Sequence, residues 1–277
     1  MSIQIIGDRG DWNKISQDSA LIERLNREAE KDPGNPNPAQ PKPLVNQDVS
    51  GNVLSNQEHW TIPVNYRNGI YQLDLAKSLL DNGKSRTQQD WAEYRKLAEP
   101  KGDFYTGDMP LCHAVFTSLF NQKDKPESEE ARKFIQEQMR ARWFMTLTRV
   151  VYQPKGKDKV IHNFGLNKVF GPNQEYSLEE NIVGKDGAIE KGDSSALTAL
   201  LGTGDVDEIK AVYNWINQTP TYIWRLNSKP TNLDERVARF GAISGRALFD
   251  CYWDAGYSYP SLGVRIASGA SGRHKIK

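Results

Sequence analysis

Two short runs, Trp60-Thr-Ile-Pro-Val-Asn-Tyr66 and Gly69-Ile-Tyr-Gln-Leu73, mix polar positions with β-branched and aromatic ones and predict two strands at the start of a folded domain. The period then lengthens. Thr87, with Asp90 three residues on, caps a predicted helix carrying Trp91, Tyr94 and Ala98, which Pro100 ends. Pro110 opens a short helix to Phe120. Pro126 and Ser128 open a longer one, with Ala131, Phe134, Ile135, Met139 and Trp143 on one stripe and Glu129, Arg132, Glu137 and Arg140 toward water. Phe144–Tyr152 and Lys159–Phe164 read as a hairpin across a Pro-Lys-Gly-Lys-Asp turn. Asp205 and Glu208 launch a further helix whose apolar face is Val206, Ile209, Val212, Tyr213 and Ile216. After Pro220 the chain reads as strands over Tyr222–Leu226, Arg236–Phe240, Arg246–Trp253 and Leu262–Ala267. Helices followed by a strand-rich end predict an α+β fold.

The N-terminal part differs. Residues 16 to 31 place Leu21, Ile22 and Leu25 at helical spacing among charges, and five prolines then fall between Pro33 and Pro43. Such proline density forbids helix and favours an extended tether. Residues 1–55 therefore read as an N-terminal arm with a Pro-rich linker, and 56–277 as the folded domain.

Composition narrows the function. Lys+Arg 36 against Asp+Glu 35 leaves a net charge of +1, so no global field draws in nucleic acid or an anionic membrane. A nucleic-acid partner is not expected. Neither a basic segment leading into an apolar run at the N-terminus nor a stretch of about 18 apolar residues occurs. No membrane insertion is expected, and synthesis in the cytoplasm, with display on a virion or cell surface, is the expected address. Seven Trp beside a hydrophobic fraction of 38% describe a ring-rich chain with many polar loops.

Catalytic grammar is sparse. The sequence has no Gly-rich phosphate loop, no Gly-x-Ser-x-Gly and no His-Glu-x-x-His. Cys112 and Cys251 cannot form a four-thiolate zinc site, and Cys112-His113 point about 100° apart on a helix, so Cys112 reads as core. Glu179-Glu180 read as solvated charges. No cofactor, metal or enzymatic activity is expected.

The window from Phe240 to Tyr259 is dense in Tyr, Trp, Phe, Ser, Gly and Asp and has no Lys, Glu or Gln. This is the composition of a binding loop, in which rings supply rigid contact area and small polar residues supply adaptable hydrogen bonds. Around it stand Arg236-Val-Ala-Arg-Phe-Gly241, Gly245-Arg246 and Ser258-Tyr-Pro-Ser-Leu-Gly-Val-Arg-Ile-Ala267. Over roughly residues 220–267 these segments resemble the end of the C-type lectin fold in its formylglycine-generating-enzyme-like branch. That branch closes on an Arg-Gly-Gly strand, an internal Arg and a Gly-Phe-Arg strand. Here Arg239-Phe-Gly241 lacks one Gly, and Val264 replaces the Phe in Gly263-Val-Arg265.

The chain more particularly resembles the variable proteins of diversity-generating retroelements, of the archaeal or archaeal-virus type. In that family template adenines are randomised, and a rewritten Asn codon yields Tyr, Phe, Ser, Asp, Gly, Cys, Ile, Leu or Ala but never Lys, Glu, Gln or Met. The window agrees with this, and Asn recurs up to Asn232 and then vanishes. Trp253 cannot come from an Asn codon and would need another adenine-bearing one, so it is either fixed or a departure.

The resemblance implies a small twisted antiparallel sheet with flanking helices and long irregular loops, in a C-type lectin-like domain whose variable ligand-binding region is about 240–260. It implies recognition of a macromolecular ligand, a protein or cell-surface molecule, with Ile243, Leu248, Asp250, Tyr252, Trp253, Asp254, Tyr257 and Tyr259 facing it. Arg239, Arg246 and Arg265 read as scaffold groups that pair with carboxylates or carbonyls, and Gly263 as a backbone requirement. Two rivals remain: an oxidase of the formylglycine-generating type, which needs Cys112 and Cys251 together beside a pocket, and a structural virion component with no ligand.

Overall fold

The computed structural model describes residues 51–67, 69–166 and 176–267. The expected helix at 16–31 and the linker at 32–43 lie outside the described residues. The chain first pairs at β1 (Leu54–Ser55), which lies antiparallel to β2 (His59–Tyr66). Val53 is buried and donates its N–H to Gln122 Oε1. Residues 53–55 thus belong to the domain, ahead of the boundary expected at 56.

From β2 the chain turns into β3 (Gly69–Leu79), then α1 (Gln88–Ala98), α2 (Met109–Asn121) and α3 (Pro126–Ala141). Strands β4 (Phe144–Tyr152), β5 (Asp158–His162), β6 (Tyr176–Glu180) and β7 (Gly187–Ala188) follow. Two helices, α4 (Ser194–Leu201) and α5 (Val206–Asn217), precede β8 (Thr221–Trp224), β9 (Asp234–Gly241), β10 (Ala247–Asp250) and β11 (Leu262–Ile266). The fold is α+β, as the sequence predicts. Its strands form two sheets instead of one small one, ordered β1-β2-β3-β11 and β6-β5-β4-β9-β10-β8-β7. The second sheet is not wholly antiparallel, because β8 and β10 run parallel.

Helices cover both faces of β4, so the whole strand is buried, Thr146, Thr148 and Arg149 included. On one face the rings of Phe116 (α2), Tyr213 (α5), Phe240 (β9) and Phe249 (β10) interlock, the closest pair being Tyr213 and Phe249 at 4.6 Å and 86°. On the other, Trp91 and Ala92 of α1 pack on Met145, Leu147 and Val237.

The helix starts follow their caps. Thr87 and Asp90 form the reciprocal capping box of α1, and Asp205 accepts from the Glu208 N–H at the start of α5. In α3 the stripe Ala131, Ile135 and Met139 is fully buried. Arg132, expected to face water, is also buried: it pairs with Glu129 at 2.6 Å and donates to the Ile216 carbonyl, while Arg140 donates to the Asn217 carbonyl. Those carbonyls end α5 and need donors from outside the helix. The sequence reading misses α4, whose eight residues are too few to establish a period and which opens without a side-chain cap bond.

Candidate ligand-recognition surface

The β9–β10 ladder sets Phe240 opposite Phe249 and Arg239 opposite Asp250. Because side chains alternate along a strand, the two phenyl rings enter the core and the charged pair takes the opposite face. Asp250 Oδ2 accepts from Arg239 Nε at 3.0 Å and Nη2 at 2.6 Å, and neither side chain reaches solvent. Burial raises the Asp250 carboxyl above its ordinary pKa, against the opposing pull of Arg239 and the Tyr252 N–H. The guanidinium lies 4.2 Å from the Trp143 ring, 4.4 Å from Tyr259 and 5.1 Å from Trp253, close enough for cation–π attraction to all three. Gly241 lets Trp143 approach, since a Cβ there would stand 2.6 Å from the indole.

Residues 251–259 leave β10 as an irregular loop that is fastened at many points. Asp250 Oδ1 accepts from the Tyr252 N–H, Trp224 O from the Cys251 N–H, and Cys251 O from the Tyr152 hydroxyl. The Val237 N–H donates to Trp253 O at 3.0 Å. Asp254 Oδ1 accepts from the Gly256 N–H in a local turn. Arg86 and Tyr259 exchange main-chain bonds in both directions, and the Trp91 indole N–H donates to Tyr259 O at 2.8 Å. Most of these bonds use main-chain atoms of the loop, so they do not depend on its side-chain identities.

The eight expected ligand-facing residues divide. Tyr252 and Tyr257 are 48% and 49% exposed. Trp253 is half-buried and meets the Tyr257 ring edge-on at 5.1 Å. Asp254, Tyr259 and Ile243 are half-buried, Ile243 in a helical turn before β10. Leu248 and Asp250 do not face a ligand. Leu248 is 3% exposed between Tyr222 and Gly241, the residue that Trp143 overlies, and Asp250 is fully enclosed with Arg239. The strand expected over Arg246–Trp253 ends at Asp250, and the irregular chain beyond it is what frees Tyr252 and Tyr257.

Sequence reasoning missed part of this face. In the parallel β8–β10 register Tyr222 stands opposite Leu248 and Trp224 opposite Asp250, so both rings share the outer face. Trp143 lies 6.4 Å from Trp224, and the Arg246 guanidinium lies 4.8 Å above the Tyr222 ring. The i, i+2 spacing of Tyr222 and Trp224 was a usable signal, because it puts both on one side of a strand.

The three arginines divide too. Arg239 pairs with Asp250, and Arg265 with Asp74 at 3.0 Å. Arg246, expected to pair in the scaffold, is exposed and stacks on Tyr222. Gly263, expected to meet a backbone requirement, has no left-handed φ; what it provides is room for side chains, since a Cβ there would stand 2.8 Å from Leu80 Cδ2.

Cys112 and Cys251 are both buried and free, and burial pushes both thiols far above their ordinary pKa. A thiolate, the reactive form, is costly at either position. Among the described residues no helix is long and apolar enough to cross a membrane. No protein-family model, curated protein or solved structure matches this chain.

Proposed function

We propose that this is a ligand-recognition protein with a C-type lectin fold of the formylglycine-generating-enzyme-like branch, whose 240–260 region is diversified by a retroelement to bind macromolecular targets. The observation that carries the reading is the loop at 251–259. It holds Tyr252, Trp253 and Tyr257 at the surface while its main chain is tied to Val237, Arg86 and Trp91. Aromatic contact area on a rigid support is the physical requirement for such binding. The fold half of the reading draws on the closing motif. Arg239-Phe-Gly241 falls in β9, Gly245-Arg246 immediately precedes β10, and Gly263-Val-Arg265 falls in β11. The oxidase alternative gains nothing from two separate thiols that burial keeps protonated.

Sequencing of sister genes and the DNA beside them tests the proposal. Divergence is expected to concentrate at Ile243, Tyr252, Asp254, Tyr257 and Tyr259 and to spare Leu248 and Asp250, with a reverse transcriptase and an adenine-bearing near-copy of this region nearby. Equal divergence inside and outside the window would overturn it. A glycan and protein array then reads the activity itself: signal that Tyr257→Ala abolishes supports ligand recognition, and signal from neither protein favours the structural virion role.

A further inference from the structure

Arg239 gives only one edge of its guanidinium to Asp250. Nε and Nη2 share that edge in the planar group, so Nη1 and its two N–H bonds lie on the far side, away from the carboxylate. Among the described residues Nη1 has no hydrogen-bond partner, although it is enclosed. Three rings stand around this guanidinium: Trp143, just ahead of β4, and Trp253 and Tyr259 from the loop. All three are half-buried, so the cage lies at the surface. Ring faces attract the cation, but they carry no lone pair to accept from its N–H groups. A buried donor without an acceptor is costly, and few native groups are left so.

What the cage lacks is narrowly defined. Asp250 already matches the charge of Arg239, and a second anion here would meet that carboxylate at close range. The need is for a hydrogen-bond acceptor, not for a charge. Both Asp250 oxygens are engaged, Oδ2 by Arg239 and Oδ1 by the Tyr252 N–H. A guest hydroxyl would therefore bring in a hydrogen with no free carboxylate oxygen beside it, whereas a carbonyl only accepts. The apolar flanks of a peptide group also suit ring walls. Entry need not loosen the loop, because the bond that holds residue 253 runs from the Val237 N–H to its main-chain oxygen and leaves the indole free to turn.

We propose that Arg239 Nη1 is a recognition donor, which takes a main-chain carbonyl of a protein ligand between Trp143, Trp253 and Tyr259 as the Trp253 ring turns aside. This rests on the ligand-recognition reading and narrows its target to protein over glycan. The test is an NMR titration of the full chain with N-methylacetamide, which carries one peptide carbonyl, against 2-butanol, a hydroxyl compound of equal size. Saturable shifts of the Arg239 side-chain nitrogens and of the Trp143 and Trp253 indole signals are expected, with a Kd on the order of 100 mM for so small a probe. Binding of 2-butanol is expected to be about fivefold weaker, the worth of one neutral hydrogen bond. Equal binding of the two probes, shifts that do not saturate, or shifts that bypass the Arg239 side chain would each overturn the proposal. The glycan and protein array keeps the two readings apart. Signal from glycans alone overturns this proposal and leaves ligand recognition standing, whereas a silent array beside saturable amide binding overturns ligand recognition and leaves the donor cage.

Discussion

Arg239 and Asp250 make the most consequential contact in the C-terminal region, because each is buried and each is the other's ionic partner. Removing one partner leaves an uncompensated charge in the interior. Asp250→Ala is therefore expected to cost about 3 to 5 kcal/mol in urea unfolding, and a loss below about 1 kcal/mol would refute the role given to the pair. Tyr252 and Tyr257 stand a few residues away and reach solvent. Replacing either by Ser is expected to change stability by no more than about 0.5 kcal/mol. A much larger loss would place these rings in the core, against a role in display. Adjacent positions in one aromatic-rich segment thus carry opposite duties, and the composition of the segment does not distinguish them.

At the scale of elements, α1 does more than cover a sheet. Its capping box at Thr87 and Asp90 orders the first turn, and Trp91 in that turn holds Tyr259 O through its indole. Arg86, just ahead of the cap, exchanges main-chain bonds with Tyr259. Thr87→Ala is expected to cost about 1 kcal/mol overall and to speed hydrogen exchange at the Tyr259 amide selectively, which the Arg86 carbonyl now protects. Unchanged exchange there would mean that the helix start and the loop end are not coupled. The helices with clear caps and stripes, α1, α3 and α5, were legible from their residues because those signals are local. Helix α4 was not, since its eight residues hold barely two turns of periodicity and Asp193 ahead of it makes no side-chain cap bond.

For the whole molecule, two fully enclosed imidazoles set the response to acid. Burial lowers the pKa of both His113 and His162 to about 4, against about 6.5 in an unfolded chain. Above about pH 6.5 neither state is charged at these positions, and the fold has its full stability. As pH falls from there toward 4 the unfolded chain takes up protons that the folded one refuses, so stability drops by about 1.4 kcal/mol per pH unit for each histidine. Urea midpoints at pH 7 and pH 5 should differ accordingly, with the lower midpoint at pH 5, and equal midpoints would show that these imidazoles are accessible to protons in the fold. The sequence by itself determined the α+β class, the capped helices, most strand positions and the presence of a ring-rich C-terminal segment, because period, capping and composition are properties of neighbouring residues. Which rings that segment displays was decided by tertiary structure alone. The end of β10 at Asp250 releases Tyr252 and Tyr257 toward solvent, and the β8–β10 register sets Tyr222 beside Leu248 and Trp224 beside Asp250. Strand ends and registers follow from pairing between residues far apart in the chain, so no local pattern encodes them.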